Sequence, residues 1–142
     1  MTESDLPWIP AAIRQLLMAN HPFVESCAGR CGTRLPSDMT RPFAQVRVSG
    51  NLDLGGGGYK PLVQVDGWAA PGGTEDVEAV VWRIATRAAR VLRVARNVPY
   101  ESMRYSARVV DAPQPGPIDI SRGADSPLYR ALTRAEITLH NR

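Results

Sequence analysis

The longest regular run of apolar and polar positions lies between Thr74 and Arg96, TEDVEAVVWRIATRAARVLRVAR, where Val77, Val80, Val81, Ile84, Ala88, Val91 and Ala95 recur at steps of three and four. That spacing predicts an amphipathic helix with one apolar stripe to be covered, and it puts Arg83, Arg87 and Arg90 on the opposite side. Both ends are marked. Gly73 and Thr74 offer a start, and Glu75, Asp76 and Glu78 stand where the positive end of the helix dipole favours carboxylates. Arg90, Arg93 and Arg96 stand near the negative end, before Asn97 and Pro99.

Period-two alternation predicts four strands. In Phe43–Ser49, Ala44, Val46 and Val48 oppose Gln45, Arg47 and Ser49; the second strand runs from Pro61 to Ala69. Gly55, Gly56, Gly57 and Gly58 lie between them, so the pair reads as a β-hairpin with a mobile tip. A third strand spans Tyr100–Asp111, with Met103, Tyr105, Ala107 and Val109 against Ser102, Arg104, Ser106 and Arg108. The fourth is Tyr129–His140, which can pair with the third. A shorter helix opens at Asp5 or Pro7, carries Ile9, Ile13, Leu16 and Leu17 on one side, and ends near Asn20. Between these elements lie an extended arm, about 21–42, and a long loop, about 112–127. The prolines of that loop, Pro113, Pro115, Pro117 and Pro127, exclude helix and central strand.

The predicted fold class is α+β: an antiparallel four-stranded sheet with two helices on one face, in the order helix-strand-strand-helix-strand-strand. The other sheet face would show Gln45, Arg47, Arg104, Arg108, Arg130 and Arg134, and is solvated or meets something polar.

Composition narrows the function classes. With 142 residues, 44% of them hydrophobic, the chain is sized for one domain, 1–142. Its net charge of +3 is far from that of a dedicated nucleic-acid binder. The charge is uneven: residues 1–78 hold six basic and nine acidic side chains, residues 79–142 eleven and five. Lys60 is the sole lysine, a bias that codon composition explains as readily as binding. No stretch is long and apolar enough to span a membrane, and MTESDLPW is acidic where a leader is basic, so the expected site of synthesis is the cytosol. Two cysteines, Cys27 and Cys31, are too few for a disulfide scaffold.

Reactive constellations are sparse. The only histidines, His21 and His140, offer little for a nucleophile–base pair, and no catalytic residue is assigned. His21, Cys27 and Cys31 are metal-donor types close in sequence, but their spacing fits no common zinc template and no fourth ligand is near, so reduced loop thiols are the preferred reading and a Cys27–Cys31 disulfide a third. The glycine run leads into a strand without the Lys-Ser or Lys-Thr of a phosphate loop. Arg83, Arg87 and Arg90 would meet an acidic partner or DNA phosphates, or simply be solvated. Trp68 and Trp82 are simplest as core or subunit-contact aromatics. No cofactor is expected.

The order FAQVRVSG, glycine tip, LVQVDGWA and TEDVEAVVWRIATRAARVL, with the closing strand ALTRAEITLHN, resembles the tail terminator, or tail-completion, proteins of long-tailed phages from about Pro42 onward. The resemblance implies a non-enzymatic subunit of a hexameric ring at the head-proximal end of the tail tube. Such a ring stops tube polymerisation, contacts the tail tube protein and the head–tail connector, and lets DNA pass without sequence-specific binding. The protein would be assembled in the host cytoplasm and reside in the virion tail, with no membrane partner. The expected subunit or partner interfaces are then Arg83, Arg87, Arg90, Arg104 and Arg108, the tip Gly55 to Gly58, and Pro113, Pro115 and Pro117 of the loop. The cysteine-bearing arm has no counterpart in the resemblance. Two alternatives stand beside it: another head–tail joining (neck) protein, and a small nucleic-acid-binding module using the arginines of the open sheet face. That face lacks the stacking aromatics of an RNA-binding sheet.

Overall fold

The structure, a computed structural model, describes residues 7–55 and 58–140, with side chains for all of these but 53, 54 and 58. Three helices, α1 (Ile9–Met18), α2 (His21–Ser26) and α3 (Val77–Arg93), join six strands: β1 (Cys31–Gly32), β2 (Phe43–Gly55), β3 (Gly58–Ala69), β4 (Val98–Tyr100), β5 (Met103–Pro115) and β6 (Tyr129–His140). They form one sheet in the order β1-β2-β3-β6-β5-β4. Only the β1–β2 pairing is parallel. The strand β6 lies between β3 and β5, which α3 connects across the face.

This corrects the expected antiparallel four-stranded sheet with two helices on one face: among the described residues the sheet is mixed and six-stranded, and the helices number three. The missed pieces are two, three and six residues long, too short for any period to register. The arm expected over 21–42 begins as α2. Asn20 caps it, its Oδ1 accepting the Phe23 N–H at 3.0 Å, and Pro22 sits in the first turn, where its missing N–H costs nothing. The third strand, expected from Tyr100, is split by a tight turn at Glu101 and Ser102, with Glu101 at φ +52° and Tyr100 paired to Met103.

The loop expected over 112–127 starts later, because β5 runs through Pro113 to Pro115. Two irregularities loosen the register there, between Val109 and Asp111 and between Asp111 and Gln114. Gly116 N–H donates to Arg130 O at 2.9 Å, so by alternation the nitrogen of Pro115 faces the unpaired outer edge, and its ring removes no ladder bond. The hairpin is longer than expected: β2 and β3 pair out to Gly55 and Gly58. Gly56 and Gly57 lie outside the described residues, as does Asp5.

The main core is the helix-covered face. Ile9, Ile13 and Leu17 of α1 and Phe23 of α2 meet Ala44, Val46, Val63 and Val65, together with Ile84, Ala88 and Leu92 of α3. Helix α3 starts later than Thr74, since Asp76 is its cap and accepts the Glu78 N–H at 3.0 Å. It sits very close to β3. A Cβ on Gly67 would lie 2.7 Å from Ile84 Cβ and 2.8 Å from Val81 O, so only glycine admits this approach. The row Ala44, Gly67, Ala131, aligned by pairing across β2, β3 and β6, is the flat seat on which the helix rests.

Candidate functional site

Strand alternation sends Gln45, Arg47, Gln64, Asp66, Trp68 and Arg134 to the face away from the helices. That face was expected to be solvated or to meet something polar, and Arg47 and Arg134 meet polar groups of their own chain. Arg47 Nε donates to Asp66 Oδ2 at 3.0 Å, and Gln64 Nε2 to Asp66 Oδ1 at 2.7 Å. Arg134 Nε donates to Gln64 Oε1 at 2.8 Å and its Nη1 to Asp111 Oδ2 at 2.9 Å. One chain of polar groups thus crosses β2, β3, β6 and β5. Asp66 and Gln64 are fully buried within it, and a buried carboxylate is tolerated only with such partners. Farther along, Arg108 and Lys60 both reach Glu136, at 3.1 and 3.3 Å. The hydrogen bond from Arg108, then the neighbouring Lys60, holds the Glu136 carboxyl below its ordinary range.

At the opposite end of this face a second apolar cluster forms. Met39 from the arm and Leu128 from the loop pack on Phe43 and Trp68, with Leu35 and Ala70 beside them. Trp68 Nε1 donates to Gln45 Oε1 at 3.0 Å, and the Arg130 guanidinium lies 5.1 Å over the Trp68 ring. Arg122 donates to the carbonyls of Pro36 and Ser37, and Arg30 to those of Asp38 and Arg41. Arm and loop are therefore fastened to each other and to their own sheet. Asp38 and Asp119 each accept bonds within their own turns, from Thr40 and Ser121, which lowers both carboxyls below the usual range.

The helix arginines are divided. Arg83 binds Glu75 through two nitrogens, which lowers that carboxyl and raises the guanidinium. Arg87 donates to Pro22 O at 2.6 Å and stands 3.8 Å from Glu25, tying α3 to α2. Arg90 is exposed, with no hydrogen bond or ion pair among the described residues. Arg104 donates to Asn97 O at 2.9 Å. Of the candidate interface arginines, Arg90 alone is exposed without a partner of its own.

What the chain leaves uncovered is apolar surface and strand edge. A groove of about 390 Å³ lies between the first turns of α3 and the β5–β6 connection, lined by Val81, Trp82, Pro115, Ile118 and Tyr129 among others. Trp82 is 47% exposed and Ile118 50%. Trp68 is a core residue, so the two tryptophans, alike in sequence, separate in role. A wider groove of about 810 Å³ runs between the arm, the Ala69–Glu75 turn and the loop. Strand β1 covers two residues of β2, and β4 three of β5, with Ala107 N–H donating to Ala95 O just beyond; among the described residues no further strand pairs with the outer side of β2 or β5. Pro113 and Pro115 guard part of the β5 edge, while Pro117 lies exposed in the connection beyond it. Sequence reasoning missed the groove because Ile118 sits in a segment without periodicity.

The metal-donor residues do not converge. His21 is exposed at the start of α2, 3.8 Å from Glu25, whereas Cys27 and Cys31 are buried free thiols. Burial raises both, Cys31 to about 12. Among the described residues no group of three His, Cys, Asp or Glu side chains is placed to hold a metal ion. Ser106 Oγ lies 3.1 Å from His140 Nε2, a contact unseen in the sequence. The hydroxyl also accepts the Asn97 N–H at 3.0 Å, no carboxylate among the described residues is hydrogen-bonded to His140, and neither groove reaches the pair. Tyr105 is likewise structural: its OH donates to Ala12 O at 3.4 Å, and burial pushes the phenol up to about 12. Among the described residues no helix is long and apolar enough to cross a membrane. No protein-family model and no curated protein matches the chain.

Proposed function

We propose that this protein is a non-enzymatic assembly subunit, a tail terminator that forms a ring at the head-proximal end of a phage tail tube, ends tube growth and joins tail to head. One observation carries the reading: a single sheet in which, among the described residues, β1 and β4 pair with only two and three residues on the outer sides of β2 and β5. Donors and acceptors in a row on an uncovered strand are a template for another chain, and a closed ring conceals both sides of every subunit at once. The exposed Trp82 and Ile118 point the same way, since large apolar side chains grouped on a surface mark contact sites. The phage assignment rests on the strand-strand-helix order and its resemblance to tail terminators. In that role the subunit meets the tail tube protein on one side and the head–tail connector on the other, with DNA passing through unread.

Of the four arginines that a nucleic-acid module would use, Arg104, Arg108, Arg130 and Arg134, the second and fourth face a carboxylate of their own chain and Arg130 lies over Trp68, which favours the assembly reading. Electron microscopy of the purified protein, alone and with tail tubes, tests the proposal. Rings that cap tube ends are expected; a monomer at every concentration that never caps a tube refutes it.

A further inference from the structure

Helix α2 ends in a tight reversal. Ala28 N–H donates to Glu25 O at 3.3 Å and Gly29 N–H to Val24 O at 2.8 Å, with both residues in the left-handed region, at φ +54° and +72°. This pair of bonds satisfies the last helix carbonyls and turns the chain back. Arg30 N–H then donates to Cys27 O at 2.9 Å, a turn that holds the Cα atoms of residues 27 and 30 within about 7 Å. The next residue, Cys31, opens β1 and pairs with Ala44. Both cysteines thus belong to the main core at the two ends of one turn, Cys27 fully buried and Cys31 7% exposed, each a free thiol. Burial first, and then the neighbouring Cys27, raise the Cys31 thiol, so the two sulfurs are close enough for one charge to act on the other.

We propose that Cys27 and Cys31 are a redox pair, which a small-molecule disulfide such as oxidised glutathione converts to an intrachain disulfide stapling α2 to β1. One cysteine thiolate attacks the S–S bond of the oxidant and releases one reduced glutathione; the other displaces the second glutathione from the mixed disulfide. Two protein thiols give up two protons and two electrons, and the oxidant becomes two thiols. The bond needs Cα atoms about 4.4–6.8 Å apart, and three intervening residues folded into a turn bring the ends of the segment to that scale. Burial sets the rate. Neither sulfur meets a reagent until α2 opens, and a helix of six residues is the kind of short element that opens without the rest of the fold. The staple reaches beyond its own turn. Arg87 of α3 donates to Pro22 O of α2, and Arg14 Nε of α1 donates to Cys31 O at 2.7 Å. Oxidation therefore joins the helix layer covalently to the edge of the sheet, at the point where the arm leaves it. The inference is independent of the ring reading.

Mixtures of oxidised and reduced glutathione in graded ratios test it on the full chain, followed by acid quenching, alkylation and mass spectrometry. The wild type should lose two hydrogens and both alkylation sites, within one chain on a non-reducing gel, and over hours because opening of α2 is the slow step. Oxidised protein should unfold at a higher urea midpoint than reduced protein, return to the lower one on adding dithiothreitol, and exchange the amide hydrogens of α2 more slowly. Cys27→Ala and Cys31→Ala should each abolish the bridge and gain at most one glutathione. Where a variant fails to fold, the difference between oxidised and reduced wild type decides. Thiols that remain open to alkylation at every ratio overturn the pair. So do glutathione adducts or disulfide-linked dimers as the end product, and so does a bridge that forms but lowers the midpoint.

Discussion

Replacing Gly67 by alanine tests the seat of α3 on the sheet. The added carbon would lie 2.7 Å from Ile84 Cβ, 2.8 Å from Val81 O and 3.0 Å from Ile84 Cγ2. Two of those three atoms are not side-chain ends that can swing away. One is a helix carbonyl, and the other is a Cβ that persists in every substitution at 84 except glycine. The helix itself must lift. Overpacking of this kind costs about 1–3 kcal/mol, and the upper half applies where backbone has to move. Against it stands the gain of about 0.5–1 kcal/mol from removing a glycine from a strand interior. The net is a loss of about 1–2.5 kcal/mol, or roughly 4–10 °C in Tm for a chain of this size. Urea unfolding followed by far-UV circular dichroism measures it. Gly50→Ala is the comparison, since its Cβ would meet only Leu62, at 3.8 Å, and it should be neutral or slightly stabilising. If Gly67→Ala matched or exceeded the wild type, the close approach would not be what selects glycine.

Asp66→Ala should cost about 2–4 kcal/mol by the same urea assay, because it strands the Arg47 and Gln64 donors that converge on a buried carboxylate; a loss below about 1 kcal/mol would mean the polar chain is incidental. Glu136 has its carboxyl held below the ordinary value of 4.5 by Arg108 and Lys60, so its contribution is complete above that pH and fades as pH falls through the lowered value. The wild type's advantage over Glu136→Gln should therefore narrow in acid below about pH 4.5, and parallel stability curves would contradict the pairing. Cys31, with a thiol raised to about 12, exposes on the order of one thiolate in ten thousand at pH 8. Folded protein should resist a thiol-labelling reagent until denatured, and prompt labelling would show the buried site to be open.

The parts of this fold that were legible in the chain are those long enough for a period to repeat: α1, α3 and the four long strands. Their edges were less so. Helix α3 begins at Val77 because Asp76 turns its side chain back onto Glu78 N–H, and nothing in the carboxylates Glu75, Asp76 and Glu78 says which will cap. Strand β5 continues into Pro115 because its outer side is unpaired, a fact about neighbours that the composition of 112–127 cannot hold. The arm hid α2, whose Phe23 is fully buried, since the adjacent pair Phe23 and Val24 in six residues makes no pattern.

The candidate surfaces were harder to read for a related reason. Alternation assigned the arginines of the outer sheet face correctly to one side, but whether they are free depends on register. Arg47 meets Asp66 from 19 positions away, and Arg134 meets Gln64 from 70. Asp66, Gly67 and Trp68 concentrate the point. Asp66 anchors the polar chain, Gly67 admits α3 on the opposite face, and Trp68 seats the arm and the loop. Three neighbours in one strand thus hold three separate layers together. Those layers engage Arg47, Arg108 and Arg134, the arm and the loop in contacts within the chain, and leave Arg90, Trp82, Ile118 and much of the outer sides of β2 and β5 uncovered by the chain's own elements. In the ring proposed above, subunits would meet through backbone edges and apolar side chains, while the paired arginines contribute to the fold of each subunit.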